Sequence, residues 1–123
     1  MFVRVIFFII PFILFSCSKE EVQYEPKPRL DPFILYEEAY KAFEGGDYFF
    51  AQKKFSEAEL NFEIVEYAAK SSIMVSYCLY GINFYTEALE SINKFLKKYP
   101  ADKNVMYAHY LIAIIYFEQI SDE

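Results

Sequence analysis

The chain has 123 residues with 12 basic and 18 acidic side chains, a net charge of −6. That balance gives no electrostatic reason to seek a phosphate backbone, so nucleic acid is not an expected partner. Two cysteines cannot build a disulfide framework once the first is consumed elsewhere, and roughly a hundred residues after the leader suit one modest domain. Twelve Tyr, fourteen Phe, no Trp and only three Gly give large contact surfaces, few turn signals and long uninterrupted segments, a composition that points to helices.

The elements begin with a leader. Met1-Phe2-Val3-Arg4 carries one positive charge, Val5 to Phe15 is apolar throughout, and Ser16 precedes Cys17. Residues 1–16 therefore have the tripartite layout of a secretory signal. The apolar run is shorter than the roughly 20 residues that span a bilayer, and Pro11 interrupts it, so an uncleaved anchor or an ordinary signal is the weaker reading. Leu14-Phe15-Ser16-Cys17 resembles a bacterial lipobox, which implies cleavage before Cys17 and acylation of its thiol. Loss of residues 1–16 removes Arg4 and no acid, leaving one cation fewer and a net charge of −7. Multiple acyl chains, as in lipoproteins of this type, anchor stably where one does so only marginally. Ser18 in place of Asp after the cysteine implies outer-membrane sorting in such proteins, with the anchored chain facing the periplasm. Cys78, left without an intramolecular partner, reads as a small buried hydrophobe.

Residues 17–30 are polar and broken by Pro26 and Pro28, the pattern of an extended tether between lipid and domain. Asp31-Pro32 then predicts a helix start, acid at the N-cap and proline at the first helical position. This first helix should run to about residue 44 and stop at Gly45-Gly46, which can take the left-handed conformation of a C-cap. Asp47 can cap a second helix over about 48–62. A third is predicted over about 65–80, ending near Gly81, and a fourth over about 84–98, stopped by Pro100. A fifth follows residues 102–104 and reaches about 120. The domain thus covers residues 31–123.

Internal similarity organises these helices. Tyr48 and Tyr85 lie 37 residues apart, and the same offset pairs Ala51 with Ala88, Phe55 with Ile92, Phe62 with Tyr99, Tyr40 with Tyr77 and Phe43 with Tyr80. A third copy starts on the same ruler: Ala39, Ser76 and Ala113 are small, while Phe43, Tyr80 and Phe117 are aromatic. The unit is a helix, a tight turn and a second helix, with small residues where the two cross so that backbones approach closely. Such hairpins resemble the tetratricopeptide repeat, although its usual period is about 34 residues. An ordinary helical bundle could imitate part of the pattern. Glu63 stands where a proline would close the first repeat, which leaves the break between the second and third helices open.

Together, the acylation motif, the proline-bearing tether and repeats opening with Leu35-Tyr36-x-x-Ala39 resemble the BamD family, the tetratricopeptide lipoproteins of the outer-membrane β-barrel assembly machine. The resemblance continues in Gly46-Asp47-Tyr48-x-x-Ala51-x-x-x-Phe55, Tyr85-x-x-Ala88, Phe95-x-x-x-Tyr99-Pro100 and Asn104-Val105-x-Tyr107-Ala108-x-Tyr110-Leu111. It implies an all-α solenoid of tetratricopeptide-like hairpins, about two and a half of them here. The family's members are longer, so the repeat domain is expected to be truncated at its C-terminus. The resemblance also implies a scaffold that receives signal peptides of unfolded outer-membrane protein precursors. Its partners would be the barrel-forming subunit BamA and accessory lipoproteins, through later repeats if those exist. Another periplasmic tetratricopeptide lipoprotein, serving pilus assembly or cell-wall coordination, is the alternative.

First helices of such repeats line the inner side. On the register of Ala39, Ser76 and Ala113 the groove would be lined by Tyr36, Tyr40 and Phe43, then Ile73, Tyr77 and Tyr80, then Tyr110, Ile114 and Phe117. That surface suits an extended peptide with alternating aromatic side chains, although the same rings could simply pack helix against helix. Lys70 stands alone at a position where a carboxylate clamp would need an amide beside it, which argues against such a clamp. Enzyme signatures are missing: His109 is the one histidine, no cysteine pair has metal spacing, and no Gly-rich phosphate loop exists, so no cofactor and no metal are expected.

Overall fold

In the computed structural model, which describes residues 30–121, those residues form five helices and no strand. They are α1 (Pro32–Glu44), α2 (Tyr48–Asn61), α3 (Val65–Gly81), α4 (Tyr85–Lys98) and α5 (Val105–Ser121). The expected signal segment, Cys17 and the tether up to residue 29 lie outside the described residues. None of the five helices is long and apolar enough to cross a membrane.

Local chemistry starts and stops these helices where the sequence places the signals. Asp31 Oδ1 accepts from the Phe33 N–H at 2.9 Å, with Pro32 opening α1, and Asp47 Oδ1 accepts from the Phe50 N–H at 3.1 Å to cap α2. Between them, Gly46 takes φ of 78°. The Asp47 N–H donates to Ala42 O at 2.9 Å and the Gly46 N–H to Phe43 O at 3.1 Å, the two bonds of a Schellman motif. The turn between α3 and α4 repeats this bond for bond. The Phe84 N–H donates to Leu79 O at 2.9 Å and the Asn83 N–H to Tyr80 O at 2.9 Å, with Asn83 at φ of 62°. Each donor and acceptor sits 37 residues after its counterpart. Asparagine is among the few side chains that tolerate the left-handed region, so it substitutes for the glycine.

The break that Glu63 left open is real. Phe62 ends α2 in an extended conformation, with ψ of 128°, and α3 begins at Val65. On the 37-residue ruler α3 would start at residue 69, so it carries one additional turn at its N-terminus.

Two adjoining cores share α3. Ala39, Ala51, Phe55, Val75 and Cys78 fill the first, between α1, α2 and α3. The second, between α3, α4 and α5, contains Ala69, Ile73, Ala88, Ile92, Phe95, Leu111 and Ile115. Ala39, Ala51, Ser76 and Ala88 are all fully buried, as the register of small residues requires. Ser76 satisfies its hydroxyl by donating to Ser91 Oγ on α4 at 2.8 Å. Tyr48, just after the first turn, lies against the end of α3: a Cβ added at Gly81 would stand 2.9 Å from Tyr48 Cδ2, so the ring's seat depends on a missing side chain. Ala113 departs from its counterparts and is exposed, because α5 packs on α3 and α4 through Ala108, Leu111 and Ile115 on its other side.

The thiol of Cys78 is buried, and that burial pushes its pKa up to about 12. It behaves as a small apolar side chain rather than a nucleophile.

Because Ala51 and Ala88 have no free space around them, Ala51→Phe or Ala88→Phe is expected to destabilise the fold by about 1–3 kcal/mol through overpacking. Thermal unfolding measures this, and an unchanged transition would place those positions in solvent.

Candidate functional site: an aromatic inner face

The first helices of successive hairpins meet through aromatic rings. From α1, Tyr36 stacks on Tyr40 at 6.5 Å between centroids and Tyr40 meets Phe43 at 6.1 Å. Phe43 then contacts Tyr77 of α3 at 5.5 Å, edge to face. Tyr77 stacks on Tyr107 of α5 at 6.4 Å, and Tyr107 meets Tyr110 at 6.3 Å. These separations and tilts are those at which ring quadrupoles attract. The result is a continuous ladder across three helices, buried at Phe43 and Tyr77 enough to be held in place and open at Tyr40, Tyr107 and Tyr110, the last 61% exposed.

Lys70 of α3 reaches over the Tyr36 ring, its Nζ 5.2 Å from the centroid. The cation that stood alone in the sequence is thus engaged by an aromatic face of α1. At the start of the ladder Phe33 packs edge-on against Phe62 and Tyr67, at 5.0 and 5.3 Å.

Of the nine positions expected to line a groove, Tyr36, Tyr40, Phe43, Tyr77 and Tyr110 belong to this face. Ile73 does not: it is 4% exposed and packs in the second core, where α5 covers it. Tyr80 lies beside Tyr77, but its hydroxyl is committed, donating to Glu118 Oε1 at 2.7 Å. Tyr85 donates to the other oxygen of the same carboxylate at 2.9 Å, so Glu118 pins the end of α5 to α3 and α4. Ile114 is half-buried and Phe117 is exposed farther along α5, with no ring contact to the ladder among the described residues. Tyr107 is a member that the sequence reasoning missed. The signal was present, since the 37-residue ruler aligns it with Lys70 and Phe33, both on the same face.

The electrostatics of the face are those of neutral phenols. Tyr80 is pushed up to about 12, first by its hydrogen bond to Glu118 and then by burial. Tyr107 is also pushed up to about 12, first by burial and then by the neighbouring phenols Tyr77 and Tyr110. Two acids elsewhere are taken up in ion pairs, Glu59 by Lys98 at 2.8 Å and Glu66 by Lys103 at 2.7 Å. His109 is exposed on α5. The arrangement offers ring faces, phenol donors and one cation, a set suited to binding.

Helical hairpins on a 37-residue register, with rings bridging their first helices, define an all-α tetratricopeptide-like repeat protein. The chain belongs to the YfiO family of outer membrane lipoproteins, whose model matches residues 28–123. It is 34% identical over 107 residues to the outer membrane protein assembly factor BamD of Caulobacter vibrioides, a match covering 87% of this chain and 34% of that protein. It is 35% identical over 57 residues to the protein of the same name from Rickettsia prowazekii, covering 46% of this chain and 23% of the relative. The chain therefore spans about a third of the first relative's length and about a quarter of the second's. No solved structure matches it significantly.

The raised Tyr80 phenol gives a pH prediction with a definite sign. A folded pKa near 12 against an ordinary value of 10.0 means that the stabilisation is whole below pH 10 and is lost as pH rises toward 12. In Tyr80→Phe that share of the alkaline loss should vanish, leaving a flatter stability profile between those limits. Thermal unfolding followed across the range, together with the phenolate absorbance, checks it.

Proposed function

We propose that this chain is a non-catalytic component of outer-membrane β-barrel assembly, anchored through an acylated Cys17 to the periplasmic face of the outer membrane. Its aromatic inner face receives strand segments of unfolded outer-membrane protein precursors. Membership of the outer membrane lipoprotein family and likeness to two assembly factors support the cellular role. The observation that carries the binding reading is the ladder Tyr36–Tyr40–Phe43–Tyr77–Tyr107–Tyr110. An extended strand shows every second side chain to one face, so alternating aromatic residues in a client can stack along successive rings. BamA and the accessory lipoproteins are the proposed partners of the assembled machine, reached through later repeats if those exist.

A peptide with alternating aromatic side chains, carrying a photocrosslinker, tests the binding face. Tyr77→Ala and Tyr107→Ala are each expected to weaken its capture about 2- to 10-fold, the equivalent of losing one ring pair of about 0.5–1.5 kcal/mol. Tyr80→Phe should leave capture unchanged, since that hydroxyl already serves Glu118. Equal crosslinking in all three variants removes the ladder from the site.

The anchor has its own test. Cys17→Ser should abolish incorporation of labelled fatty acid and leave the precursor uncleaved at residue 16; lipid on the variant would refute the assignment.

A further inference from the structure

We infer that one end of the helical array, the end from which the tether leaves, rests on the surface of a phospholipid bilayer. The inference depends on the acylated Cys17 proposed above. In this antiparallel arrangement the start of α1, the end of α2, the start of α3 and the end of α4 lie at one end. That end exposes apolar side chains which the cores do not use: Phe33 at 55%, Leu60 at 79%, Ile64 at 54% and Val65 at 68%. Leu30, where the described chain begins, is exposed beside them.

The side chains gather at the same helix ends. A shallow groove brings Pro32 and Phe33 together with Phe62 and Ile64 beside Asn61 and Glu63, and a separate one sets Val65 and Pro100 among Glu66, Lys98 and Asp102. Large apolar side chains grouped on an exposed rim mark a contact surface rather than scattered chance exposure. Their distribution over helix ends, not along a single groove, fits a broad interface better than a threaded peptide.

Two observations select lipid. First, the thirteen residues from Cys17 to Arg29 reach no farther than about 45 Å when fully extended. An acylated Cys17 therefore holds the domain within that reach of the membrane, and the tether joins it at this end. Tethering raises the effective concentration to about the millimolar range, so an apolar contact too weak to hold alone becomes persistent. Second, Lys98 and Lys103 at the rim are held by Glu59 and Glu66 at 2.8 and 2.7 Å, which leaves the apolar side chains between them as the larger free surface. Contact therefore comes from shallow insertion of apolar side chains at the interface.

The buried, unreactive Cys78 makes the test direct, because a single introduced cysteine can be labelled selectively in the full acylated chain. Ile64→Cys and, at the opposite end, Phe49→Cys each carry an environment-sensitive fluorophore, and the probe surface is phosphatidylcholine vesicles. On flotation with the vesicles, the label at residue 64 should shift to the blue and lose severalfold of its quenching by iodide, while the label at 49 stays in water. Co-flotation with the label at 64 still fully quenched overturns the inference and leaves the anchor standing, as does an equal shift at both ends. Failure to float overturns the anchor and the inference together. A shift at 64 produced by client peptide without vesicles overturns it in favour of a polypeptide partner.

Discussion

Four fully buried positions, Ala39, Ala51, Ser76 and Ala88, carry nothing larger than a hydroxymethyl group, and their size sets how closely helix backbones can cross. Any bulkier side chain there would push helices apart and undo the interdigitation around them. The turns enforce the same geometry from outside. Gly46 and Asn83 adopt the left-handed conformation at equivalent places, and each hands its chain to the next helix through the same pair of backbone hydrogen bonds. Crossing and turn together make a unit that the chain uses again at an interval of 37 residues.

The inner face follows from that repetition. Close crossings occur between the two helices of a hairpin and between hairpins through α3, while α1 and α3 are bridged by rings, Phe43 with Tyr77 and Phe33 with Tyr67. Aromatic side chains therefore act both as spacers and as exposed surface. Their inner edges fix the distance between first helices, while at Tyr40, Tyr107 and Tyr110 the outer faces stay open. Glu118 adds a polar clasp, accepting from Tyr80 and Tyr85 and fixing α5 against its neighbours.

Much of this was legible in the letters because it is local or periodic. Asp31-Pro32, Gly45-Gly46-Asp47 and Pro100 punctuate the helices through backbone chemistry that needs no tertiary partner. The small-residue register follows from the ruler. What the ruler could not tell was which side of a helix a later element would cover. Ile73 aligns with Tyr36 and Tyr110, yet α5 lays Leu111 over the same core and takes it out of the groove. Ala113 aligns with Ala39 and Ser76, yet α5 buries its other side. Tyr80 aligns with Phe43, which has no hydroxyl, so nothing in the repeat announces a bond to a carboxylate thirty-eight residues onward. Tyr107 went unnoticed because Lys70, its counterpart, was judged as a charge and not as a partner of a ring.

The phenols of the inner face carry a consequence for the conditions under which it can work. Mobile ions screen interactions between exposed charges over roughly 10 Å at moderate salt, whereas stacking of uncharged rings is hardly touched by them. With Tyr107 kept un-ionised far above neutrality and a lone ammonium at Lys70, the proposed grip is buffered against swings in the surrounding electrolyte. A surface composed of paired acids and lysines would tighten and loosen with every change in ionic strength; one composed of ring faces holds steady.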